Sequence, residues 1–122
     1  MGGQRSRELF AEGFMLTRQL IERFLELYIP VGMDRSHPDL SPLHAADLAG
    51  MPPTLLVTAG FDPLRDEGEA YGERLREAGR HVRMMCQDSL VHGFANMLSI
   101  PAAHRATSNI ARELACLLVS LD

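Results

Sequence analysis

TLLVTAG, the stretch from Thr54 to Gly60, decides the fold of this 122-residue chain. It is a continuous apolar run rich in β-branched residues, which is typical of a strand buried on both faces of a parallel sheet. The chain then passes through Asp62-Pro63-Leu64 into a predicted helix that runs to about Ala78, with Gly79 just past its end. HVRMMC, from His81 to Cys86, predicts the next strand. A strand, a helix and a strand make a βαβ unit, so we expect a parallel pair joined by a right-handed crossover.

Helices are predicted on both sides of this unit. Between Arg7 and Tyr28, apolar residues recur at alternating steps of four and three, which indicates one helix with Ser6 as its N-cap. Residues 31–53 keep no period and are rich in proline and glycine, so they are predicted to form a loop. An apolar stripe from Ala102 to Leu121 predicts a terminal helix. Residues 1–122 therefore read as a single α/β domain, with a helical region over 1–30, a loop over 31–53 and a βαβα unit over 54–122.

Composition and charge argue against several classes of protein. A net charge of −4, scattered arginines and the absence of tryptophan give no reason to expect nucleic-acid binding. No apolar run reaches the roughly 20 residues of a bilayer span, and no signal-peptide core follows Met1, so we expect a cytoplasmic protein without a membrane span. Cys86 and Cys116 lie in apolar surroundings without metal-type spacing, and are predicted to be buried, reduced thiols.

Histidines are the remaining candidates for a metal site. None forms a pair at helical spacing, and none has a neighbouring cysteine that could act as a second ligand. The five are His37, His44, His81, His92 and His104. Neither a metal nor another cofactor is therefore predicted.

Two polar residues each follow a predicted strand. Asp62 comes directly after the first strand, and His92 follows the second after a few loop residues. Ligand sites gather at the carboxyl ends of parallel strands, so the two side chains can meet. A carboxylate that accepts the Nδ1–H of a histidine makes that histidine a competent general base. Local pattern leaves a second interpretation open for each residue, because Asp62 before Pro63 also fits a helix N-cap and His92 beside Gly93 also fits an ordinary loop histidine.

The sequence around Asp62 resembles a known family signature. The run from Pro52 to Gly68, PPTLLVTAGFDPLRDEG, is similar to the segment around the triad acid of hormone-sensitive-lipase-like carboxylesterases, which have the α/β-hydrolase fold. The segments YGERLREAG (Tyr71–Gly79) and HGF (His92–Phe94) resemble the next helix and the triad-histidine loop of that family. FAEGF at Phe10–Phe14 and SPL at Ser41–Leu43 also resemble its pattern, so the similarity covers nearly the whole chain. The chain departs from the family at Gln87 and Ser89, where an aromatic residue and a glycine are common.

This resemblance implies a Ser-Asp-His triad in which Asp62 orients His92 and His92 is the general base. In the family the serine precedes the acid, which places the nucleophile before residue 1. The sequence contains neither a G-x-S-x-G motif nor the HGGG-type loop that supplies oxyanion donors. We therefore expect a C-terminal α/β-hydrolase fragment without esterase activity of its own. Ser89 is not expected to substitute, since nothing supplies an oxyanion donor pair.

The resemblance also implies partners. The complete protein is expected to hydrolyse a small acyl ester, with the helix Arg7–Tyr28, which lies beside the cap in the family, helping to wall the acyl pocket. Without the earlier strands of the sheet, Thr54–Gly60 has an unpaired apolar edge, so a homo-oligomer or a complementing chain is expected. The alternative is a non-catalytic hydrolase remnant that binds a partner or a hydrophobic ligand.

Overall fold

The computed structural model describes residues 5–119, which form a two-stranded parallel sheet with a helix packed on each face. The helices are α1 (Arg5–Leu9), α2 (Arg18–Tyr28), α3 (Arg65–Glu77) and α4 (Pro101–Val119). The strands are β1 (Thr54–Phe61) and β2 (Val82–Val91), and short 3-10 turns cover Pro42–His44 and Phe94–Asn96. The predicted βαβα order from the first strand onward is confirmed, and the predicted end of the last helix, beyond residue 119, lies outside the described residues.

The two strands run side by side in the same direction. Thr54 lies opposite Val82, and Ala59 lies opposite Gln87. Helix α3 connects them, as expected for a βαβ unit. The second strand is longer than predicted, because it extends past Cys86 to Val91, with Gln87 paired to Ala59 and Val91 paired to Phe61. Main-chain hydrogen bonds do not depend on the polarity of the side chains, so the end of an apolar run was a poor guide to the end of this strand.

Helix α3 packs closely on one face of the sheet because small residues face the strands. Leu75 is completely buried, and Gly72 lies against Met84. A Cβ on Gly72 would lie 2.8 Å from the sulfur of Met84, and a Cβ on Gly68 would lie 3.1 Å from the methyl of Thr58. This close packing leaves little room for side chains between helix and sheet, and it fixes the start of α3 beside the end of β1.

Helix α4 covers the other face of the sheet, where the main hydrophobic core lies. Ala59, Phe94, Ala103 and Ala106 are buried together. Partly buried residues that pack around them are Val57, Leu90, Met97 and Ile110. Successive side chains of a strand point to opposite faces, so those of β1 pack alternately under α4 and under α3. The apolar run of β1 had predicted this arrangement.

The single helix predicted from Arg7 to Tyr28 is wrong. The segment instead forms the separate helices α1 and α2, with a bend between them where Gly13 has a φ of +79°. Glycine adopts this left-handed backbone without the steric penalty that other residues incur. Phe10 and Phe14 matched the helical period, but their rings pack against Phe61. The predicted partition of the chain at residues 30 and 53 stays a prediction.

The N-cap of this region is Thr17, at the start of α2. Its hydroxyl accepts a hydrogen bond from the N–H of Leu20 at 3.2 Å. Ser6 had been predicted as the cap, but it lies inside α1 and is completely buried. The prediction for Ser6 is therefore wrong, and its hydroxyl instead contacts the first turn of α3.

Between α2 and β1 the chain forms a loop that contains the 3-10 turn at Pro42–His44. Arg74 of α3 fastens this turn, since its guanidinium donates hydrogen bonds to the carbonyl oxygens of Leu43 and Ala45. Leu48, further along the loop, is buried. The loop is therefore attached to the βαβ unit by both polar and apolar contacts.

Two further predictions concern the outside of the molecule. Cys86 and Cys116 are free thiols, but both are exposed, so their predicted burial is wrong. Cys86 lies on β2 and Cys116 on α4. None of the helices within residues 5–119 is long and apolar enough to cross a bilayer.

The register of the sheet changes at Gly60, next to the end of β1. Ala59 pairs with Gln87 and Phe61 pairs with Val91, so the same step takes two residues in β1 and four in β2. The main chain of the resulting bulge passes so close to Gly60 that a Cβ there would collide with the carbonyl oxygen of Asp88. A glycine at position 60 therefore allows the bulge, and the bulge sets where β2 ends.

Replacing Gly60 with alanine is expected to destabilise the fold by about 1–3 kcal/mol, because the backbone of β2 must move to admit the methyl group. Urea unfolding followed by circular dichroism measures this change. Gly50→Ala is the matched control, since nothing lies within 4 Å of the Cβ position at Gly50. Equal unfolding midpoints for the two variants would contradict the close approach at Gly60.

Candidate active site

Asp62 and His92 are in contact at the carboxyl ends of the two strands. Nδ1 of His92 lies 2.8 Å from Oδ2 of Asp62. The side chain of Asp62 is 12% exposed, whereas that of His92 is 43% exposed. A buried carboxylate that accepts from one imidazole nitrogen fixes the orientation of the ring and leaves the other nitrogen available. The fold thus brings together the two residues singled out in the sequence.

Leu64 is the N-cap of α3, so the N-cap interpretation of Asp62 is wrong. Its Oδ1 accepts a hydrogen bond from the N–H of Leu64 at 2.8 Å, while Oδ2 faces His92. Its main-chain carbonyl accepts from the N–H of Arg65 at 3.1 Å. The contact with Leu64 closes an Asx-type turn at the entrance to α3. One carboxylate therefore closes the turn before the helix and holds the histidine.

His92 is placed by the short loop that follows β2. Gly93 has a φ of +72°, which agrees with the positive φ suggested by the His-Gly pair. The next residue, Phe94, is buried against Ala59 and α4, so the far end of the loop is anchored in the core. Within the described part of the chain, Nε2 of His92 makes no hydrogen bond. The contact of Nδ1 with Asp62 thus orients the ring, and Nε2 stays available for a substrate or a catalytic partner.

An open cavity of about 310 Å³ lies beside His92. The segment before α2, α2 itself and the start of α3 supply its apolar walls. The apolar lining residues are Leu16, Ile21, Phe24, Leu25 and Leu64. Arg7 and Glu67, whose charged groups are 4.0 Å apart, form its polar edge. An apolar cavity beside a histidine with one free nitrogen suits an apolar substrate group next to a proton acceptor.

A second polar cluster, which sequence analysis missed, lies directly behind Asp62. The hydroxyl of Ser6 donates to the carbonyl of Pro63 at 3.0 Å and accepts from the N–H of Asp66 at 3.1 Å. The carboxylate of Asp66 accepts in turn from the N–H of Ser6 at 2.8 Å. This exchange resembles a capping box in which the cap residue comes from another helix. No local pattern could reveal it, because the two residues are 60 positions apart.

Asp66 is the charged centre of this cluster. Burial by itself would raise its pKa, but the N–H of Ser6 and the guanidinium of Arg65 favour the carboxylate and hold the pKa below its ordinary value. Nε and Nη2 of Arg65 lie 3.1 and 3.0 Å from Oδ1 of Asp66. The carboxylate thus joins α1 to the guanidinium that lies next to the end of β1.

Phe61, the last residue of β1, connects the segment after α1 to the site. Its ring stacks on Phe14 with 5.4 Å between centroids and meets Phe10 edge-on at 5.7 Å. The guanidinium of Arg65 lies over the ring of Phe10, 5.5 Å from its centroid. Each aromatic pair of this kind contributes about 0.5–1.5 kcal/mol beyond the burial of its area. The bend between α1 and α2 is thereby fastened beside Asp62.

The remaining candidates do not join this site. Ser89 is exposed on β2 and makes no hydrogen bond with His92. Across residues 5–119, no group of three or more His, Cys, Asp or Glu side chains is arranged to hold a metal ion.

Comparison with known sequences is consistent with this fold. A family model of the α/β-hydrolase fold matches residues 2–96. The chain is 44% identical over 106 residues to the carboxylic ester hydrolase LipN of Mycobacterium tuberculosis, covering 86% of this chain and 28% of LipN. It is 41% identical over 102 residues to the carboxylesterase NlhH of the same organism, covering 80% of this chain and 32% of NlhH.

Solved structures agree with the sequence relatives. An ester hydrolase from the metagenome of Lake Arreo, complexed with a derivative of bipyridine phosphonate, aligns with a TM-score of 0.80 and 38% identity over 91% of this chain and 36% of its own. A thermostable esterase from Pseudomonas putida aligns with a TM-score of 0.77 and 36% identity over 86% of this chain and 34% of its own. The chain belongs to the α/β-hydrolase fold family, among the hormone-sensitive-lipase-like carboxylesterases. It spans 28% and 32% of the length of the two curated relatives.

The lowered pKa of Asp66 predicts how stability depends on pH. A carboxyl whose pKa is lower in the folded state than in the unfolded chain stabilises the fold above its unfolded value of about 3.9, and this contribution is lost as the pH falls through the folded pKa. In urea unfolding at a series of acidic pH values, the wild type should therefore lose stability faster than Asp66→Asn. Parallel curves for the two proteins would contradict this role of Asp66.

Proposed function

We propose that this chain supplies the acid and the general base of a serine carboxylic ester hydrolase. The observation that carries the proposal is the 2.8 Å contact between Nδ1 of His92 and Oδ2 of Asp62, at the carboxyl ends of adjacent parallel strands. The relatives named as ester hydrolases and carboxylesterases support the class of reaction. The order of the two residues, aspartate before histidine, fits the order of the triad in this fold.

The proposed chemistry uses the two imidazole nitrogens differently. Asp62 accepts the Nδ1–H, which leaves the lone pair on Nε2 and stabilises the imidazolium when it forms. Nε2 takes the proton of the serine hydroxyl as its oxygen attacks the ester carbonyl, and it then gives that proton to the departing alcohol. In the second half of the reaction, water attacks the carbonyl of the acyl-enzyme while His92 removes a proton from it. His92 then gives that proton to the serine oxygen as the carboxylic acid is released.

The nucleophile is proposed to come from residues outside these 122. No serine here lies in a G-x-S-x-G turn, and that turn also supplies a backbone N–H of the oxyanion hole. Loss of the nucleophile costs on the order of 10⁶ in rate in a comparable hydrolase, and the oxyanion donors would be lost with it. By themselves, residues 1–122 are therefore proposed to be inactive on esters.

The cavity beside His92 is proposed to hold the acyl chain of the substrate. Its apolar walls favour a hydrocarbon group, and His92, whose Nε2 makes no hydrogen bond within the described residues, is part of its lining. Leu64 lies in this wall, and its N–H donates to the carboxylate of Asp62, so the wall and the acid are fixed by the same turn. The substrate is thus a small or medium apolar acyl ester.

The oligomeric state and the cytoplasmic localisation stay predictions. Within the described residues, β1 pairs only with β2, so its other edge is open. Large apolar side chains of α2 are also exposed, Phe24 at 54% and Leu27 at 68%. Both features favour association with a second copy or with a chain that completes the sheet.

A chimera tests the triad roles. Residues 1–122 would replace the matching part of NlhH, whose remainder would supply a nucleophile, and hydrolysis of p-nitrophenyl acetate would be measured. His92→Ala is expected to lower kcat by a factor on the order of 10⁴–10⁶, because the general base is lost. Asp62→Asn is expected to lower kcat by a factor of about 10⁴, because His92 then takes the wrong tautomer.

The matched control for these variants is His104→Ala, since His104 is exposed on α4. It should retain the activity of the chimera. An active chimera that keeps its rate after His92→Ala would refute the proposal, as would turnover by residues 1–122 alone that vanishes in Asp62→Asn.

The proposed role of the cavity as the acyl site is tested by comparing the activity of the same chimera on esters of different acyl length. Phe24→Ala removes one apolar wall, so kcat/KM for the hexanoyl ester relative to the acetyl ester should fall roughly fivefold, the effect of about 1 kcal/mol of lost contact. Leu20→Ala is the control, because Leu20 is on the same helix but does not line this cavity. An unchanged ratio in Phe24→Ala would place the acyl chain elsewhere.

A further inference from the structure

We propose that Arg65 is a positioning residue for the Asp62–His92 pair. It acts on the main chain that leads into Asp62 and does not touch the imidazole. The effect of Arg65 on catalysis rests on the proposed function. Its effect on the hydrogen bond between Asp62 and His92 does not, because that bond can be measured without turnover.

Arg65 holds the chain on both sides of Phe61. Nη1 of its guanidinium donates to the carbonyl of Gly60 at 3.0 Å, and its main-chain N–H donates to the carbonyl of Asp62 at 3.1 Å. Between these two carbonyls the chain leaves β1 and turns toward α3. The orientation of that turn determines where the carboxylate of Asp62 points.

The guanidinium is itself held on several sides. Two of its nitrogens donate to Oδ1 of Asp66, and its Cζ lies over the ring of Phe10, 5.5 Å from the centroid. Asp66 is fixed in turn by the N–H of Ser6 at 2.8 Å. A planar group with several donors can bind the Gly60 carbonyl and the Asp66 carboxylate together while it lies over an aromatic ring. A lysine offers one compact charge, so it cannot reproduce this set of contacts.

The geometry at the end of β1 makes this support necessary. Gly60 has no side chain to pack, and its Cβ position is filled by the main chain of Asp88. Residue 60 therefore cannot be held through side-chain contacts, and its carbonyl is bound by Arg65. A hydrogen bond of 2.8 Å weakens steeply when its atoms are displaced or misaligned, so a small rotation of this turn would loosen Asp62 from His92.

A merely structural role predicts a different result from a positioning role. If Arg65 only stabilised the fold, its loss would lower the unfolding midpoint and leave His92 unchanged in the folded protein. If it positions Asp62, its loss changes the tautomer of His92, because the Nδ1–H form is selected by a correctly placed acceptor.

The experiment is ¹⁵N NMR of the imidazole nitrogens in the 122-residue chain, at a pH where the ring is neutral. The Nδ1–H form of His92 should predominate in the wild type, and Asp62→Asn should abolish that preference. In Arg65→Met the ratio of Nδ1–H to Nε2–H should fall roughly fivefold, the effect of losing about 1 kcal/mol of hydrogen bonding. Arg65→Lys should restore only part of it.

Arg83→Met is the matched control, because it removes an ion pair of 2.6 Å with Glu113 elsewhere on the sheet. It should keep the wild-type tautomer. If Arg65→Met does not fold, Asp66→Asn provides the second test, since it loosens the guanidinium and should shift the ratio in the same direction.

Three outcomes would overturn the proposal: a folded Arg65→Met with the wild-type ratio, an equal shift in Arg83→Met, or, if Arg65→Met does not fold, an unchanged ratio in Asp66→Asn. An Nε2–H majority in the wild type would instead refute the Asp62–His92 pair, and with it the proposed function. An inactive chimera with the expected tautomer shifts would refute the proposed function and leave the role of Arg65 intact.

Discussion

Main-chain hydrogen bonds between β1 and β2 run in one register from Thr54–Val82 to Ala59–Gln87, and the site depends on this parallel pairing. Parallel strands end at the same edge of a sheet, so residues that follow them in the chain are brought together there. The pairing requires a crossover helix, and α3 fills that role by packing closely on the strands through Gly68 and Gly72. This packing places the start of α3 beside the end of β1, shortly after Asp62.

Asp62 combines roles that many proteins divide among several residues. One oxygen closes the turn into α3, the other holds His92, and its carbonyl receives the N–H of Arg65. A carboxylate with all these partners has little freedom to rotate. Catalytic groups that are fixed before the substrate binds avoid reorganisation during the reaction. The cluster of Ser6, Asp66 and Arg65 extends this rigidity to α1, so the wall of the cavity and the acid belong to one hydrogen-bonded unit.

The division between the two halves of the proposed reaction has a simple structural basis. The acid and the base lie on one βαβ unit, and the orientation of His92 needs only contacts within that unit. The nucleophile and the oxyanion donors belong, in this fold, to an earlier strand-turn-helix segment. Nε2 of His92, the cavity and the open edge of β1 are the features through which such a segment would meet this chain. Identity as a triad acid and base is therefore separable from competence to hydrolyse an ester.

The sequence by itself determined the elements whose signals are local. Patterns a few residues long account for the strand β1, for the end of α3 just before Gly79, which has a φ of +74°, and for the positive φ of Gly93. The pairing of Asp62 with His92 was predictable because both follow parallel strands. Tertiary structure decided the rest: the break at Gly13 in what looked like one helix, the bulge opposite Gly60, the exposure of both cysteines and the role of Ser6. Each depends on contacts between distant segments, such as the 60 positions between Ser6 and Asp66, and a periodicity along the chain carries no information about such contacts.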